Sequence, residues 1–214
     1  KGDFILFNGD VLTTKTEIEA LMKSKPKAPL ICGYKVSNPA EYGVLTIEPS
    51  EPSKQGKQSD RSERGESGSS EYVTEISEKP KEPKSNLINA GIYIFNKKIF
   101  DAIEKTEKSA RGEYEITDSI QILMKTDKLH YHELKKWVHV GLLWHMLEAN
   151  QMVLEEYGTM IGENVTIKPG AVIEEPVAIG SGSIIGPNCF IRNFSSIGKN
   201  CKVGQAVEIK NSII

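Results

Sequence analysis

Ile161-Gly162-Glu163-Asn164-Val165-Thr166-Ile167-Lys168-Pro169-Gly170-Ala171-Val172-Ile173 opens a repeat that runs to the end of the chain. Ile161, Ile167, Ile173, Ile179, Ile185, Ile191, Ile197, Val203 and Ile209 recur every six residues without a break. Four places after each stands Val165, Ala171, Val177, Ser183, Cys189, Ser195, Cys201, Val207 or Ile213, mostly small. A strict short period is the mark of a solenoid. Each hexad predicts one short strand and a turn, and three hexads close one triangular coil. The aliphatic residue points inward and the small one sits near the corner. Nine hexads make about three coils, a quasi-one-dimensional stack.

Upstream the period changes. Phe4-Ile5-Leu6-Phe7 reads as a buried parallel strand, followed by a tight Asn8-Gly9 turn and then Asp10. Ligands of open α/β sheets bind at the carboxyl ends of strands, so Asp10 is placed either to face a ligand or metal ion, or to cap the next helix. Thr14 and Glu17 have capping-box spacing before Ile18, Leu21 and Met22, and this helix is expected to end near Ser24. Leu30 to Val36 is a second strand, completing a strand–helix–strand unit of a largely parallel sheet. Tyr42 to Ile47 and Tyr72 to Ile76 are further strands. Between them Ser50 to Ser70 holds no apolar residue to offset its ordering entropy. A disordered hairpin insertion is expected there, its Lys and Arg either solvated or gripping phosphate. Ala90 to Phe95 and Leu129 to Leu134 read as strands, the latter carrying His130 and His132 on one face of an edge strand. Helices are expected around Ile99–Ile103, Ile116–Leu123 and Leu143–Tyr157.

The chain has 214 residues, 26% of them charged, and a net charge of -2. That balance offers no electrostatic case for nucleic acid or an anionic membrane, and no apolar run approaches membrane-spanning length. Cys32, Cys189 and Cys201 have no CxxC spacing and suit a reducing cytoplasm as buried thiols. Cys189 and Cys201 lie two hexads apart, on different faces of the triangle, and are not expected to pair. Lys1 rather than Met opens the chain, and Ile213-Ile214 stop inside the repeat. The expectation is an internal piece of a longer protein.

Six segments then carry a resemblance: Phe7-Asn8-Gly9-Asp10, Glu41-Tyr42-Gly43-Val44, Ser77-Glu78-Lys79-Pro80, Asn89-Ala90-Gly91-Ile92-Tyr93-Ile94-Phe95, Glu113-Tyr114-Glu115-Ile116-Thr117-Asp118, and Trp137 through Leu147-Glu148-Ala149-Asn150. In this order, ahead of the hexads, they resemble a sugar-1-phosphate nucleotidylyltransferase with a C-terminal left-handed β-helix. Bifunctional N-acetylglucosamine-1-phosphate uridylyltransferases and their archaeal relatives are the nearest likeness, with glucose-1-phosphate thymidylyltransferases related. The resemblance implies part of a Rossmann-like α/β nucleotidyltransferase domain over 1–157, mostly parallel, and a left-handed β-helix over 158–214. It supplies the handedness, which runs against the usual crossover rule.

It also implies a reaction. A sugar phosphate oxygen attacks the α-phosphorus of a nucleoside triphosphate and pyrophosphate leaves, giving a UDP-N-acetylglucosamine or a UDP- or dTDP-glucose. Asp10 would hold Mg²⁺ and Lys79 the sugar phosphate, as catalytic residues. Glu78 and Asn89 would hydrogen-bond sugar hydroxyls, and Gly43 and Gly91 would let backbone approach the ring. His139, in Trp137-Val138-His139-Val140-Gly141, stands where the family carries a second metal carboxylate, and imidazole suits transition metals better than Mg²⁺. His145 likewise replaces an acidic residue. The family's glycine-rich triphosphate loop would precede Lys1, so this piece alone is expected to be inactive. The implied protein is cytoplasmic and homo-oligomeric, a trimer through the β-helix, with no nucleic acid or membrane partner. Two alternatives stand beside it. One is an impaired regulatory or binding homologue built on the same modules. The other is a hexapeptide acetyltransferase acting in coils beyond Ile214, since Ile161 to Ile214 holds no His to serve as base.

Overall fold

The computed structural model describes residues 2–48 and 72–214, so the expected insertion over residues 50–70 lies outside the described residues. Contacts divide the chain into two compact units, residues 1–9 with 17–135, and residues 10–16 with 136–214.

The first unit contains β1 (Phe4–Phe7), most of α1 (Lys15–Lys23), β3 (Leu30–Lys35), β4 (Gly43–Glu48), β5 (Tyr72–Glu78), β6 (Leu87–Phe95), α2 (Lys98–Ile103), α3 (Ile116–Met124) and β7 (Leu129–Glu133). The strands form one sheet in the order β1-β6-β3-β7-β5-β4. The expected mostly parallel sheet is corrected here. Among the described strands of this sheet only β3 and β7 run parallel; every other pairing is antiparallel. The reason lies in β6. It runs antiparallel between β1 and β3, so the strand–helix–strand pattern gives those two the same direction without making them neighbours.

A second correction concerns β1. It pairs antiparallel with β6 at the edge of the described sheet, and Ile5, Leu6 and Phe7 are 36%, 38% and 44% exposed. A continuous apolar run is equally compatible with a central or an edge strand, and burial had to be read from pairing. His130 and His132 are corrected in the opposite sense. They lie on β7, inside the sheet, both half-buried. Burial pushes both imidazoles down, helped at His130 by Lys27 and Lys128 and opposed at His132 by Glu17.

The core of this unit joins Ile31, Leu45, Ile76, Tyr93 and Phe95 of the sheet to Ile99 of α2 and Ile120 of α3. Cys32 is fully buried in β3, and burial, with the Glu17 carboxylate, pushes its thiol up to about 12. Such a thiol is packing, not a nucleophile.

The second unit pairs β2 (Val11–Leu12) antiparallel with β8 (Val138–His139) and continues into α4 (His145–Tyr157). Leu143 falls before the helix and is 85% exposed; α4 buries Met152 and Leu154 instead. Nine two-residue strands follow, β9 (Met160–Ile161) to β17 (Glu208–Ile209), one per hexad. They stack in parallel as three three-stranded sheets, β9-β12-β15, β10-β13-β16 and β11-β14-β17, so every third hexad lies over the same face. Ile179, Ile185, Ile191 and Ile197 point inward, at most 2% exposed, and Val177, Ser183, Cys189 and Ser195 are fully buried beside them. In seven hexads the third residue after the aliphatic turns the corner with positive φ: Asn164, Gly170, Gly182, Asn188 and Asn200, the residue types that tolerate this region best, and also Phe194 and Ala206. Cys189 and Cys201 are unpaired to one another, as the spacing requires. Asn150 of α4 ties the helix to the solenoid, donating to Phe194 O at 2.8 Å and accepting from Ser196 Oγ.

Candidate active site

In the first unit Gly43, Glu78, Lys79, Asn89 and Gly91 come together where β4 begins and β5 ends. Gly43 pairs with Glu78 across the ladder. A Cβ on Gly43 would lie 3.1 Å from Glu78 Oε2, 3.4 Å from Thr117 Cγ2 and 3.5 Å from Asn89 Cβ, so the missing side chain keeps the space between three polar residues open. Lys79 follows β5 with φ +40 and donates its backbone N–H to Tyr42 O at 3.1 Å. A lysine in the left-handed region, directly before a proline, is strained backbone of the kind that collects at functional sites. Its side chain is exposed.

Asn89 is half-buried on β6. Its Nδ2 donates to Tyr93 Oη at 2.9 Å and its Oδ1 accepts from the Gly91 N–H at 3.0 Å. One amide hydrogen and one lone pair remain for a ligand. Gly91, with φ +70, accepts from the Asn8 N–H at 2.8 Å, and a Cβ on it would lie 2.7 Å from Asn8 Nδ2. The close approach that Gly91 permits is therefore to the Asn8 side chain.

Arg111, Glu115 and Thr117 join this group; Glu115 and Thr117 lie in the Glu113–Asp118 segment that carries the resemblance, but none of the three was named as a site residue from the sequence. The Arg111 guanidinium lies 3.1 Å from Glu113, 3.4 Å from Glu115 and 3.9 Å from Glu78. Its position two residues before Glu113 was the available signal. Thr117 is 2% exposed, and its hydroxyl has no hydrogen-bond partner among the described residues.

Burial, then the neighbouring Glu115 carboxylate, raises the Glu78 carboxyl above its ordinary 4.5, against the smaller opposing pull of the Lys79 and Arg111 charges. The folded chain therefore keeps this proton to a higher pH than the unfolded chain. The stability this gives is fully present below the ordinary value and is lost as pH rises through the folded one. Glu78→Gln removes that loss. Its melting temperature is expected to exceed that of the parent protein at about pH 7 and to match it at about pH 4, read by thermal denaturation at both.

A groove of about 1020 Å³ runs along β5, lined by Tyr72 to Glu78, Gln121 and residues 124–129. Only Glu78 belongs to both groove and polar group. Lys128 in the groove wall lies over the Tyr72 ring at 4.9 Å and Asp127 is held by Lys98. The polar group, where the carboxylate is perturbed and the backbone strained, is the candidate site.

In the second unit Asp10 and His139 meet, with Asp10 Oδ2 3.3 Å from His139 Nε2. Helix α1 begins at Lys15, so Asp10 does not cap it. The resemblance implies Mg²⁺ on this pair, and the donors do not fit it. Mg²⁺ takes oxygen ligands in a near-octahedral shell. The pair offers one carboxylate and one imidazole, and no group of three or more His, Cys, Asp or Glu able to hold a metal occurs among the described residues.

An α/β unit with a polar cluster at one sheet end, continued by a three-faced parallel β-helix, places the chain among two-module hexapeptide-bearing α/β proteins. It belongs to the nucleotidyl transferase family, whose model matches residues 1–156; the bacterial transferase hexapeptide (six repeats) model matches residues 158–193. The chain is 36% identical over 171 residues to the bifunctional protein GlmU of Methanocaldococcus jannaschii, covering 78% of this chain and 36% of that one. It is 33% identical over 229 residues to a bifunctional sugar-1-phosphate nucleotidylyltransferase/acetyltransferase of Sulfurisphaera tokodaii, covering 98% of this chain and 52% of that one. A UDP-glucose pyrophosphorylase complexed with UDP-glucose shares the fold, with a TM-score of 0.55 at 20% identity over 72% of this chain and 56% of that one. The chain thus spans between 36% and 52% of the length of these two curated relatives. Among the described residues no helix is long and apolar enough to cross a membrane.

Proposed function

We propose that the chain is the sugar-phosphate-binding part of a sugar-1-phosphate nucleotidylyltransferase that makes a UDP-N-acetylglucosamine, or a UDP- or dTDP-glucose. The observation that carries this reading is the convergence of Gly43, Glu78, Lys79 and Asn89 at one end of the sheet in the first unit. A phosphate oxygen of the sugar phosphate attacks the α-phosphorus of the triphosphate. The new P–O bond forms as the α–β bridging bond breaks, and pyrophosphate leaves with the electron pair. Such transfer depends on positioning and charge neutralisation. The Lys79 ammonium supplies a mobile positive charge for the sugar phosphate. Ionised Glu78 accepts from sugar hydroxyls, and the remaining amide hydrogen and lone pair of Asn89 fix a further hydroxyl. Gly43 leaves the ring room. Nucleotidyltransferases of this family generally use a divalent metal, and the Asp10–His139 pair by itself does not fit Mg²⁺.

In this reading residues 1–157 serve the transfer and residues 158–214 form a left-handed β-helix whose flat faces suit a homotrimer; the protein works where soluble nucleotides are, in the cytoplasm. The test is pyrophosphate release by the full-length gene product from UTP or dTTP with glucose 1-phosphate or N-acetylglucosamine 1-phosphate. Turnover with at least one pair is expected, and none with any pair would overturn the reading. A second reading, a regulatory homologue that has lost the chemistry, is favoured by His139 beside Asp10. Turnover restored only by His139→Asp would point to a decayed enzyme.

A further inference from the structure

Among the described strands, β5 is paired along the whole of one edge and along only part of the other. On one side it pairs with β4 over Tyr72–Glu78; on the other it meets β7 only at Tyr72↔His130 and Val73↔Leu129. Beyond Val73 this second edge looks across the groove of about 1020 Å³ to Gln121 and Met124 of α3 and the residues that follow them. Ile76 O on this edge accepts from Gln121 Nε2 at 2.8 Å, so a side-chain amide stands where the N–H of a neighbouring strand would stand. Main-chain groups alternate in direction along a strand. Ile76 and, two residues on, Glu78 therefore turn their N–H and C=O to the groove, whereas the Lys79 N–H turns to Tyr42 O on the β4 side. Gln121 uses one of the two lone pairs of Ile76 O.

The charges of the groove wall are unevenly answered. The carboxylates of Glu75 and Asp127 are held by lysines that do not line the groove, Lys84 at 2.7 Å and Lys98. The lysines that do line it, Lys125 and Lys128, are exposed, and neither forms an ion pair among the described residues; Lys128 lies over the Tyr72 ring. Met124, packed against the core, adds an apolar contact. A strand edge set opposite a helix takes up an extended chain by adding it as a strand, with main-chain bonds giving affinity and alternate side chains giving specificity. The two unanswered lysines set the sign of that chain. We propose that the groove between β5 and α3 binds an extended acidic peptide segment of a partner protein, which adds as a strand at Ile76 and Glu78 and places its carboxylates by Lys125 and Lys128. Alternate residues of an extended chain point to opposite faces, so the same segment can present apolar side chains to Met124. The inference stands apart from the transfer reaction, since it is read without nucleotide or sugar.

The probe is the peptide acetyl-Glu-Val-Glu-Val-Glu-amide, titrated into the chain and followed by the backbone amide signals in NMR. Saturable shifts are expected at Ile76, Glu78, Lys125 and Lys128, with slowed hydrogen exchange of the Ile76 and Glu78 N–H groups. Two comparison peptides are expected to bind about tenfold or more weakly. Acetyl-Lys-Val-Lys-Val-Lys-amide meets like charge, and the acidic peptide N-methylated at every internal residue has lost the donors of the ladder. Lys125→Glu combined with Lys128→Glu, on the exposed wall, is expected to weaken the acidic peptide by about tenfold or more and to strengthen the lysine peptide. If that variant does not fold, the two comparison peptides decide the matter on the parent chain. No shifts with the acidic peptide, equal binding of either comparison peptide, or binding unchanged by the charge reversal would overturn the proposal. So would the same shifts produced by inorganic phosphate or UMP at the peptide's concentration, which would show a pocket for small anions instead.

Discussion

Replacing Lys79 with Ala is expected to lower kcat/KM for the sugar phosphate by about 10²–10³-fold in the full-length gene product, the scale on which losing one charge-stabilising group acts elsewhere. The argument rests on place and strain together. Lys79 stands one residue beyond Glu78, at the sheet end where Gly43 and Asn89 open a space. Its φ of +40 disfavours any residue with a Cβ. A solvated turn has no need of a lysine there, and Gly would be the low-strain choice. This makes Lys79→Gly an informative companion. It is expected to fold at least as stably as the parent, because Gly relieves a strain of roughly 1–2 kcal/mol. It is also expected to be as inactive as Lys79→Ala, because the ammonium is gone. Steady-state kinetics and thermal denaturation on the two variants separate the backbone from the charge. Near-parent activity in Lys79→Gly would show that the ammonium is not needed and would contradict the role given to Lys79.

The second large effect lies in the solenoid. Gly186→Val is expected to destabilise the β-helix by about 4 kcal/mol or more, at the upper end of single substitutions. A Cβ at Gly186 would lie 2.4 Å from Gly204 O, 2.6 Å from Gly204 C and 2.8 Å from Val203 O. All three are backbone atoms of the next coil, fixed by the ladder in which Gly186 N donates to Val203 O at 3.0 Å. No rotamer change can relieve that contact. Gly204→Ala is the control, since its nearest neighbour is Val207 Cγ2 at 3.9 Å, and it is expected to be tolerated. Calorimetric unfolding of both variants checks the difference. Equal melting temperatures would contradict the packing account.

The solenoid was the most legible part of the sequence because one short interaction repeats. An inward aliphatic, a small neighbour and a positive-φ corner recur in register through the middle hexads, whereas Ile161 and Ile167 of the first coil are 48% and 44% exposed. The sheet was less legible. Strand positions follow from local apolar runs, but neighbours do not. Nothing within Leu87–Phe95 says that β6 inserts between β1 and β3, and nothing within Phe4–Phe7 distinguishes an edge from a centre. The candidate site was legible residue by residue through resemblance, as far as Gly43, Glu78, Lys79 and Asn89. Gly91 was found for a different reason from the one the structure gives, which is the Asn8 side chain packed against it. Arg111 and Glu115 escaped because a salt-bridge cluster around a loop has no sequence period. Thr117 escaped because its buried, unpartnered hydroxyl shows only in three dimensions.

The central claim is that the group around Gly43, Glu78, Lys79 and Asn89 binds a sugar phosphate. Isothermal titration of glucose 1-phosphate and N-acetylglucosamine 1-phosphate into the chain, with inorganic phosphate and the free sugars as comparisons, tests it most directly. The account predicts that at least one sugar phosphate binds more tightly than either of its parts, and that Lys79→Ala and Glu78→Gln each weaken that binding by about tenfold or more. A sugar phosphate that binds no better than inorganic phosphate, or binding indifferent to both substitutions, would contradict it.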